Sequence, residues 1–116
     1  MLQQDIRLLI VDDHDMIVEG FALLLERLPL VTVVGVAANG RDAITYVEQL
    51  QPNMVLLDIS LPFRNGIDVA EEIAALYPDV RVIMLTAHRE REHVVRSLRA
   101  GARGYVFKGS AFSVVV

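Results

Sequence analysis

Short apolar runs alternate along the chain with segments in which apolar residues recur at helical spacing. The runs are rich in Val, Ile and Leu and show no apolar–polar alternation, which is typical of strands buried on both faces of a sheet. In the segments between them, apolar residues lie three and four positions apart, as on one side of an amphipathic helix. The predicted strands are Ile6–Val11, Val31–Ala37, Met54–Leu57, Val80–Leu85 and Tyr105–Phe107.

Four helices are predicted between these strands. The first spans Asp15–Leu28, because Asp15 is a good N-cap residue and Pro29 cannot continue a helix. A proline or glycine also closes each of the other helices. The second helix runs from Asn39-Gly40 to Leu50 and is closed by Pro52. The third runs from Ile67 to Leu76 and is closed by Tyr77-Pro78-Asp79. The fourth runs from Arg89 to Ala100 and is closed by Gly101.

This alternation predicts an α/β fold with a parallel sheet, because parallel neighbours need crossover connections that place helices on the sheet. We therefore expect a doubly wound sheet with helices on both faces. Each helix has one apolar stripe that should pack against the sheet. The stripes are Ile17, Phe21, Leu24, Leu25 and Leu28; Ala43, Ile44, Val47 and Leu50; Ile67, Ala70, Ile73 and Ala74; and Val94, Val95 and Leu98.

The composition agrees with a single domain of this kind. The chain has 116 residues, 53% of them hydrophobic, which is enough for one well-formed core. A formal net charge of -4 argues against a domain that binds nucleic acid by itself. Cysteine is absent, which excludes disulfides and thiolate metal sites. Neither a membrane-spanning apolar run nor a signal-peptide pattern is visible, so we expect a soluble, cytoplasmic protein.

Chemically capable side chains follow the predicted strands. Asp12 and Asp13 follow the first strand, Asp58 the third, Thr86 the fourth and Lys108 the fifth. Because the strands are parallel, their carboxyl ends lie at one edge of the sheet, where ligands bind in open α/β folds. The sequence therefore predicts one site built from these side chains.

The three carboxylates of this set, Asp12, Asp13 and Asp58, would repel one another unless a proton or a cation relieved the repulsion. A set of carboxylate, carbonyl and water oxygens suits Mg²⁺ better than zinc. A carboxylate beside such an ion can attack phosphorus and form an aspartyl-phosphate, with Thr86 and Lys108 as phosphate ligands. Each of these residues, taken singly, also has an ordinary structural explanation. The aspartates could be turn residues stabilised by a nearby helix N-terminus. Thr86 could simply end a strand, and Lys108 could be an exposed surface cation.

The order of these residues resembles that of a known family. Asp12-Asp13-His14, Asp58, Pro62…Gly66, Thr86-Ala87 and Lys108 are similar to the motifs of the receiver domain of bacterial two-component response regulators. The resemblance covers essentially the whole chain. It implies a flavodoxin-like fold with strand order 2-1-3-4-5. It also implies phosphorylation by a sensor histidine kinase, with self-phosphorylation and autodephosphorylation as the domain's only chemistry rather than enzyme activity.

The resemblance further implies how the acidic residues are used. Asp58 accepts the phosphoryl group. Asp13, Asp58 and the backbone carbonyl of Ser60 bind Mg²⁺, and Asp12 supports the ion through a water molecule. The family's phosphorylation site is therefore expected to be a magnesium site as well.

For the remaining side chains, the resemblance implies phosphate contact and switching. Thr86 and Lys108 contact the phosphate, and Tyr105 turns inward when Thr86 moves. Ser60 and His88 flank the phosphate and tune how long it lasts. The face from Thr86 to Tyr105 is thus expected to change conformation on phosphorylation.

Within the family, Val11–His14 followed by Val18–Phe21 and Leu24-Leu25 resembles the NarL/LuxR-type subgroup, whose members carry a C-terminal helix-turn-helix domain. We therefore expect residues 1–116 to be the receiver part of a longer transcription regulator that contacts DNA only through that domain. The fifth helix of the fold is expected to be truncated or missing. An apolar face near Val114–Val116 would then be uncovered, which favours aggregation or a homodimer.

Two other functions and one departure from the family bear on this interpretation. A phosphohydrolase working through an aspartyl-phosphate generally needs a carboxylate two residues after the nucleophile, and Ser60 occupies that position. A degenerate receiver could instead serve as a protein-binding scaffold without phosphorylation, but its acidic set would not need to be intact. Phe63-Arg64 replaces small residues of the family's loop, so the loop beside Asp58 is expected to differ in shape.

Overall fold

The computed structural model of the protein describes residues 5–87 and 91–108. Strands and helices alternate along these residues, as the sequence pattern predicts. The strands are β1 (Ile6–Val11), β2 (Val31–Ala37), β3 (Met54–Asp58), β4 (Arg81–Thr86) and β5 (Gly104–Phe107). The helices are α1 (Asp15–Leu25), α2 (Gly40–Leu50), α3 (Gly66–Leu76) and α4 (Arg91–Arg99).

The strands form one parallel sheet in the order β2-β1-β3-β4-β5, which confirms the predicted doubly wound fold. After β2 the chain returns to the other side of β1, so β1 and β3 are neighbours where the strand order reverses. Val11 of β1 lies beside Leu57 of β3. The next residues, Asp12 and Asp58, therefore meet at the carboxyl edge, where this class of fold binds its ligands.

Successive residues of the central strands point to opposite faces of the sheet and fill two apolar clusters. Leu9 and Leu57 belong to the larger cluster, which α2 and α3 cover. Leu8 and Leu56 belong to the smaller cluster, which α1 covers through Phe21. The central strands are thus buried on both faces, which is why their sequences are apolar without alternation.

Two helices begin at asparagines. Asn39 Oδ1 accepts a hydrogen bond of 2.8 Å from the backbone N–H of Asp42 at the start of α2. Asn65 Oδ1 accepts one of 2.7 Å from the backbone N–H of Ile67 at the start of α3. Such caps satisfy donors that have no partner within the helix and typically contribute about 1 kcal/mol.

The first helix is shorter than predicted. It ends at Leu25 rather than Leu28, because the N–H of Leu28 bonds the carbonyl group of Leu25 and tightens the chain into a turn. Pro29 reinforces this end, since the residue before a proline disfavours helical geometry. Leu28, predicted to face the core, is 50% exposed. The prediction of Asp15 as N-cap is also wrong, because His14 occupies that position.

The buried face of the fourth helix differs from the prediction, although Val94 is half-buried as expected. Val95 and Leu98, predicted to face inward, are 37% and 52% exposed. The buried side carries Ser97 and Ala100 instead. The Ser97 hydroxyl donates a hydrogen bond of 2.8 Å to the carbonyl oxygen of His93, so a polar residue is buried there without losing its partner.

Some predicted boundaries move by one residue. Asp58 and Thr86 are the last residues of β3 and β4 rather than the first residues after them, and β5 begins at Gly104 rather than at Tyr105. The predicted helix start at Arg89, the fifth helix and Val114–Val116 lie outside the described residues. Within residues 5–87 and 91–108, each helix is too short or too polar to traverse a bilayer.

Candidate functional site

Two buried carboxylates stand at the point where the strand order reverses. Asp12 and Asp58 are 2% and 1% exposed. The backbone N–H of Asp12 donates to the carbonyl oxygen of Ala37 at 3.0 Å, and that of Ile59 donates to the carbonyl oxygen of Leu85 at 3.1 Å. These bonds extend the parallel ladder past both carboxylates. The sheet itself therefore holds Asp12 and Asp58 in place.

Gly66 allows the loop after Asp58 to fold back on the strand. Its N–H donates a hydrogen bond of 2.7 Å to the carbonyl oxygen of Ile59. A Cβ atom at this position would overlap the carbonyl oxygen of Asp58 and lie 2.7 Å from Ile59 Cα. The start of α3 thus packs directly on the backbone that carries Asp58, an approach that only glycine permits.

A third carboxylate and an imidazole complete an acidic cluster. One ligand atom from each of Asp12, Asp13, His14 and Asp58 lies within 4.8 Å of all the others. His14 Nδ1 is 2.8 Å from Asp12 Oδ1, 3.2 Å from Asp13 Oδ1 and 3.8 Å from Asp58 Oδ2. The backbone N–H of His14 also donates to Asp12 Oδ1 at 2.9 Å. Asp13 and His14 are exposed, so the cluster opens to solvent on their side.

Lys108 reaches into this cluster from the end of β5. Its side chain is only 12% exposed, and its Nζ lies 3.0 Å from Asp12 Oδ2 and 3.3 Å from Asp58 Oδ2. A single ammonium group thus faces two buried carboxylates. The site retains an excess of negative charge, because Asp13 adds a further carboxylate beside them.

The pKa of the Asp58 carboxyl reflects this excess. Burial raises it above its usual range, and the negative charge of Asp12 raises it further. The positive charge of Lys108 and the hydrogen bond from the Ser60 N–H, 3.2 Å from Asp58 Oδ1, act in the opposite direction. The net shift is upward, so the protein alone does not fully stabilise an ionised Asp58.

The acidic residues fit a divalent cation. Asp12 Oδ2 and Asp58 Oδ2 are buried and share the ammonium group of Lys108, which lies 3.0 Å from the first and 3.3 Å from the second. Carboxylate oxygens that converge in this way are the donors that Mg²⁺ prefers. A cation bound among them would favour the ionised form of Asp58, which burial opposes.

Thr86 and Tyr105 lie on the neighbouring strands. Thr86 is 1% exposed at the end of β4. Tyr105 pairs with Met84, two residues before Thr86, so the side chains of Thr86 and Tyr105 share one face of the sheet. Tyr105 is partly buried against the larger apolar cluster.

The structure thus brings together four of the predicted site residues, namely Asp12, Asp13, Asp58 and Lys108. Thr86 stands at the same edge of the sheet, Ser60 is exposed and contacts Asp58 through its backbone, and His88 lies outside the described residues. Sequence reasoning assigned no role to His14, although its position directly after the aspartate pair was a signal that could have been used. It also matched Gly66 to a motif without giving a physical reason for the glycine.

The loop at Phe63-Arg64, where the sequence differs from the family pattern, has a defined conformation in the structure. Phe63 has a φ of 70°, in the left-handed region, and its side chain is 98% exposed. Arg64 Nη2 donates to Glu72 Oε1 at 3.2 Å, which ties the loop to α3. The Phe63 ring therefore stands in solvent and does not cover Asp58.

Known proteins are similar to this chain in both sequence and fold. Residues 8–116 match the family described as the response regulator receiver domain. Response regulator UvrY of Escherichia coli (strain K12) is 38% identical over 111 residues, which are 96% of this chain and 51% of UvrY. Transcriptional regulatory protein DegU of Brevibacillus brevis is 34% identical over 106 residues, 91% of this chain and 45% of DegU. The chain spans about half the length of these curated relatives.

Solved structures agree with the sequence comparison. The signal receiver domain of the putative response regulator NarL from Mycobacterium tuberculosis superposes with a TM-score of 0.86 at 31% identity, covering 91% of this chain and 86% of that one. A two-component response regulator of the LuxR family from Aurantimonas sp. SI85-9A1 also gives 0.86, at 32% identity, covering 90% of this chain and 75% of that one. These matches confirm the predicted resemblance to NarL/LuxR-type receivers.

Proposed function

The chain belongs to the response regulator receiver domain family, and from this premise we propose that it is a switch phosphorylated on Asp58 by a sensor histidine kinase. One observation carries the proposal. Asp58 is 1% exposed at the carboxyl edge of the sheet, and the Lys108 ammonium group lies 3.3 Å from its Oδ2. A buried carboxylate of this kind, facing a cation, suits a nucleophile better than a structural residue.

In the proposed reaction, a carboxylate oxygen of Asp58 attacks the phosphorus of a phosphohistidine on the kinase. The O–P bond forms as the P–N bond breaks, and the histidine nitrogen keeps the electron pair and takes up a proton. Water later attacks the same phosphorus, releases inorganic phosphate and regenerates the carboxylate. We assign the tuning of this hydrolysis to Ser60 and His88. The domain transforms no separate substrate, so we class it as a switch rather than an enzyme.

Mg²⁺ would supply positive charge between the attacking carboxylate and the transferred phosphoryl group. We assign its direct ligands to Asp13, Asp58 and the backbone carbonyl of Ser60, with Asp12 acting through water. The Ser60 N–H donates a hydrogen bond of 3.2 Å to Asp58 Oδ1, so the backbone of Ser60 lies beside the carboxylate.

Phosphorylation would act on the fold through Thr86, Lys108 and Tyr105. A hydrogen bond to a charged group contributes about 1.5–3 kcal/mol, so contacts of the phosphate with Thr86 and Lys108 would total about 3–6 kcal/mol. Moving a two-state equilibrium from 1:99 to 99:1 needs about 5.5 kcal/mol. Two contacts are therefore enough to bias the Thr86–Tyr105 face toward a second conformation, with Tyr105 following Thr86.

We propose a DNA-binding output domain as the receiver's target in a longer transcription regulator. Two observations support this: the relatives are about twice the length of this chain, and DegU is described as a transcriptional regulatory protein. In this arrangement residues 1–116 act in the cytoplasm, receive the phosphoryl group from the kinase and pass the change to that domain. A homodimer of receivers is a further element of the proposal, and sedimentation with and without phosphodonor measures it.

The proposal is tested by incubating the protein with Mg²⁺ and acetyl phosphate as a small phosphodonor, followed by intact-mass measurement. We expect a gain of one phosphoryl group that Asp58→Asn abolishes. Asp68→Asn is the matched control, because it removes an exposed aspartate from the first turn of α3, and it should leave the gain intact. No gain in the unmodified protein, or a gain that survives Asp58→Asn, would favour the scaffold function and overturn the proposal.

A further inference from the structure

An open groove lies between the start of α2 and the loop that follows Asp58. It encloses about 750 Å³ and is lined by Asn39, Arg41, Asp42, Thr45, Phe63 and Arg64. The groove lies on the side of the sheet that α2 and α3 cover, whereas α1 covers the other face. Its lining residues are all outside the acidic cluster, so the function proposed above gives the groove no role.

Phe63 stands at this groove on a strained turn. The N–H of Arg64 donates a hydrogen bond of 2.8 Å to the carbonyl oxygen of Pro62, and Phe63 between them has a φ of 70°. These are features of the rarer, strained form of the γ-turn, and a bulky residue seldom adopts such a φ. The ring is 98% exposed, so it gives the fold no packing in return. Strained residues of this kind cluster at ligand clamps, which points to a contact with another molecule.

The groove is basic, although the chain as a whole is acidic. Arg41 is exposed, and its guanidinium group has no ion-pair partner in the described part of the chain. Arg64 Nη2 bonds Glu72 Oε1 at 3.2 Å in an exposed pair, which a carboxylate from another molecule can replace at little cost. Asp42 already accepts a hydrogen bond of 3.1 Å from Asn39 Nδ2. The lining thus has two arginines and one aspartate, whereas the net charge of the chain is -4.

Acidic side chains of α3 limit where a partner can lie. A second, smaller hollow beside Arg64 is lined by Asp68, Glu71, Glu72 and Ala75. Carboxylates of a partner would be repelled there. On the α2 side they would instead meet Arg41 and the positive end of the helix dipole. The change of sign at Arg64 therefore favours one orientation of a bound acidic segment.

Aromatic residues and arginine are enriched at the core of protein interfaces. We propose that the groove docks an acidic segment of another protein, with an apolar side chain against the Phe63 ring and a carboxylate on Arg41. Sites for small molecules are mostly apolar and enclose most of the ligand, whereas five of the six lining residues here are polar. This inference goes beyond the proposed function and does not require phosphorylation of Asp58.

The test is a nuclear magnetic resonance titration of the isotope-labelled full chain, without phosphodonor. The probe is a short synthetic peptide of glutamates around a central leucine. We expect progressive shifts of the amide signals of Arg41, Thr45 and Phe63, and none with a matched peptide of lysines around leucine. A peptide of glutamates around a central glycine should bind about tenfold more weakly, because it lacks the apolar anchor.

Phe63→Gly separates a binding role from a structural one. Glycine adopts a positive φ without strain, so we expect the melting temperature not to fall. The affinity for the glutamate–leucine peptide should nevertheless fall by about tenfold, because the ring is lost. Phe63→Ala should lose the same affinity. Leu23→Ala is the control, since it removes an exposed apolar side chain from α1 on the other face of the sheet and should leave the affinity unchanged.

Arg41→Gln tests the charge of the groove. We expect the peptide affinity to fall about threefold and to depend less on salt. Arg81→Gln is the matched control, because it removes an exposed arginine at the opposite edge of the sheet, and it should change neither property.

Four results would overturn the inference and leave the proposed function standing. These are no shift with the glutamate–leucine peptide, equal binding of the lysine peptide, full affinity in Phe63→Gly, and equal losses in Arg41→Gln and Arg81→Gln. Shifts of the same amide signals on raising the protein concentration, without peptide, would assign the groove to a second copy of the chain and overturn the inference as well.

Discussion

The centre of the sheet and its outer edge are packed to different degrees. In the central region, which comprises β1, β3 and the loop to Gly66, Leu9, Val55 and Leu57 have no exposed surface. In the outer region, which comprises α4 and β5, every residue of β5 is partly exposed and Leu98 is 52% exposed. Segments with less buried surface open or shift at lower free-energy cost. Among the described residues, the nucleophile candidate thus lies in the more deeply buried region and the proposed responding face in the less buried one.

Lys108 connects the two regions. It follows β5, yet its Nζ lies 3.0 Å from Asp12 Oδ2 and 3.3 Å from Asp58 Oδ2 in the central region. A new charge on Asp58 would therefore act on the outer region through a contact that already exists. Because the central region is buried on both faces, we expect it to transmit the change rather than absorb it.

The largest expected effect is that of Gly66→Ala in the central region. The new Cβ would overlap the Asp58 carbonyl oxygen, and backbone atoms cannot rotate away, so we expect the free energy of unfolding to fall by more than about 4 kcal/mol. Gly104→Ala is the matched variant in the outer region, where the nearest atom is the Ile83 side-chain Cδ1 at 2.9 Å, which can move. It should cost about 1 kcal/mol. Urea unfolding measures the free energy of unfolding of both variants. Equal losses would contradict the difference in packing between the central and outer regions.

Truncation of buried side chains tests the same comparison without adding atoms. Leu57→Ala removes a side chain with no exposed surface and should lower the free energy of unfolding by about 3 kcal/mol. Val106→Ala, on the partly exposed β5, should cost about 1 kcal/mol. Chemical denaturation monitored by circular dichroism gives both values. A loss at Val106 as large as that at Leu57 would show that the outer region is packed as firmly as the centre.

Magnesium should stabilise the protein through the central region. At a hundredfold excess over its Kd, a ligand that binds only the folded state adds about 2.7 kcal/mol, and removing the ion with a chelator should remove this increment. Asp13→Asn should abolish most of the gain, whereas Asp68→Asn should keep it, because Asp68 is an exposed residue of α3. Thermal melting with and without Mg²⁺ makes the measurement. A gain that Asp13→Asn leaves unchanged would place the ion elsewhere.

The smallest expected effect is the dependence of stability on pH at Asp58. Burial and the charge of Asp12 raise the pKa of this carboxyl in the folded state. Its stabilising contribution is thus present below the unfolded pKa of about 3.9 and is lost as pH rises through the folded pKa. Without metal, Asp58→Asn should therefore raise the melting temperature at neutral pH and lose this advantage in acid. The melting temperatures of Asp58→Asn and of the unmodified protein, measured across pH, test this expectation. A variant with a lower melting temperature at neutral pH would show that the charge of Lys108 stabilises ionised Asp58 more than burial destabilises it.

Much of the fold was predictable because its strands are buried on both faces. The bounds of β1 and β2 were predicted correctly, since an uninterrupted apolar run has clear ends. The helices were harder. On α4 the apolar residues Val95 and Leu98 are exposed, whereas Ser97 is buried. The burial of Ser97 is possible because its hydroxyl donates a hydrogen bond to a carbonyl oxygen of the same helix. Apolar spacing alone cannot show that a polar residue has been satisfied locally.

The candidate site was also predictable only in part. Asp12, Asp58 and Lys108 were predicted to converge, because the carboxyl ends of parallel strands share an edge. The contact between His14 Nδ1 and the carboxylates was not predicted, since it depends on the direction that the side chain takes at the start of α1. The reason for Gly66 was not predicted either, because its neighbours in space are seven and eight residues away along the chain.

By itself, the sequence determined the order of strands and helices, the edge of the sheet where polar residues gather and the family to which the chain belongs. These properties follow from the hydrophobic period, which is local, and from the order of motifs along the chain, which can be read without any distance in space. Only the tertiary structure decided how deeply Asp58 is buried, that Lys108 faces two carboxylates at once and that Gly66 must lack a side chain. These properties depend on how separate segments pack against one another in space, which the local pattern of the sequence does not specify.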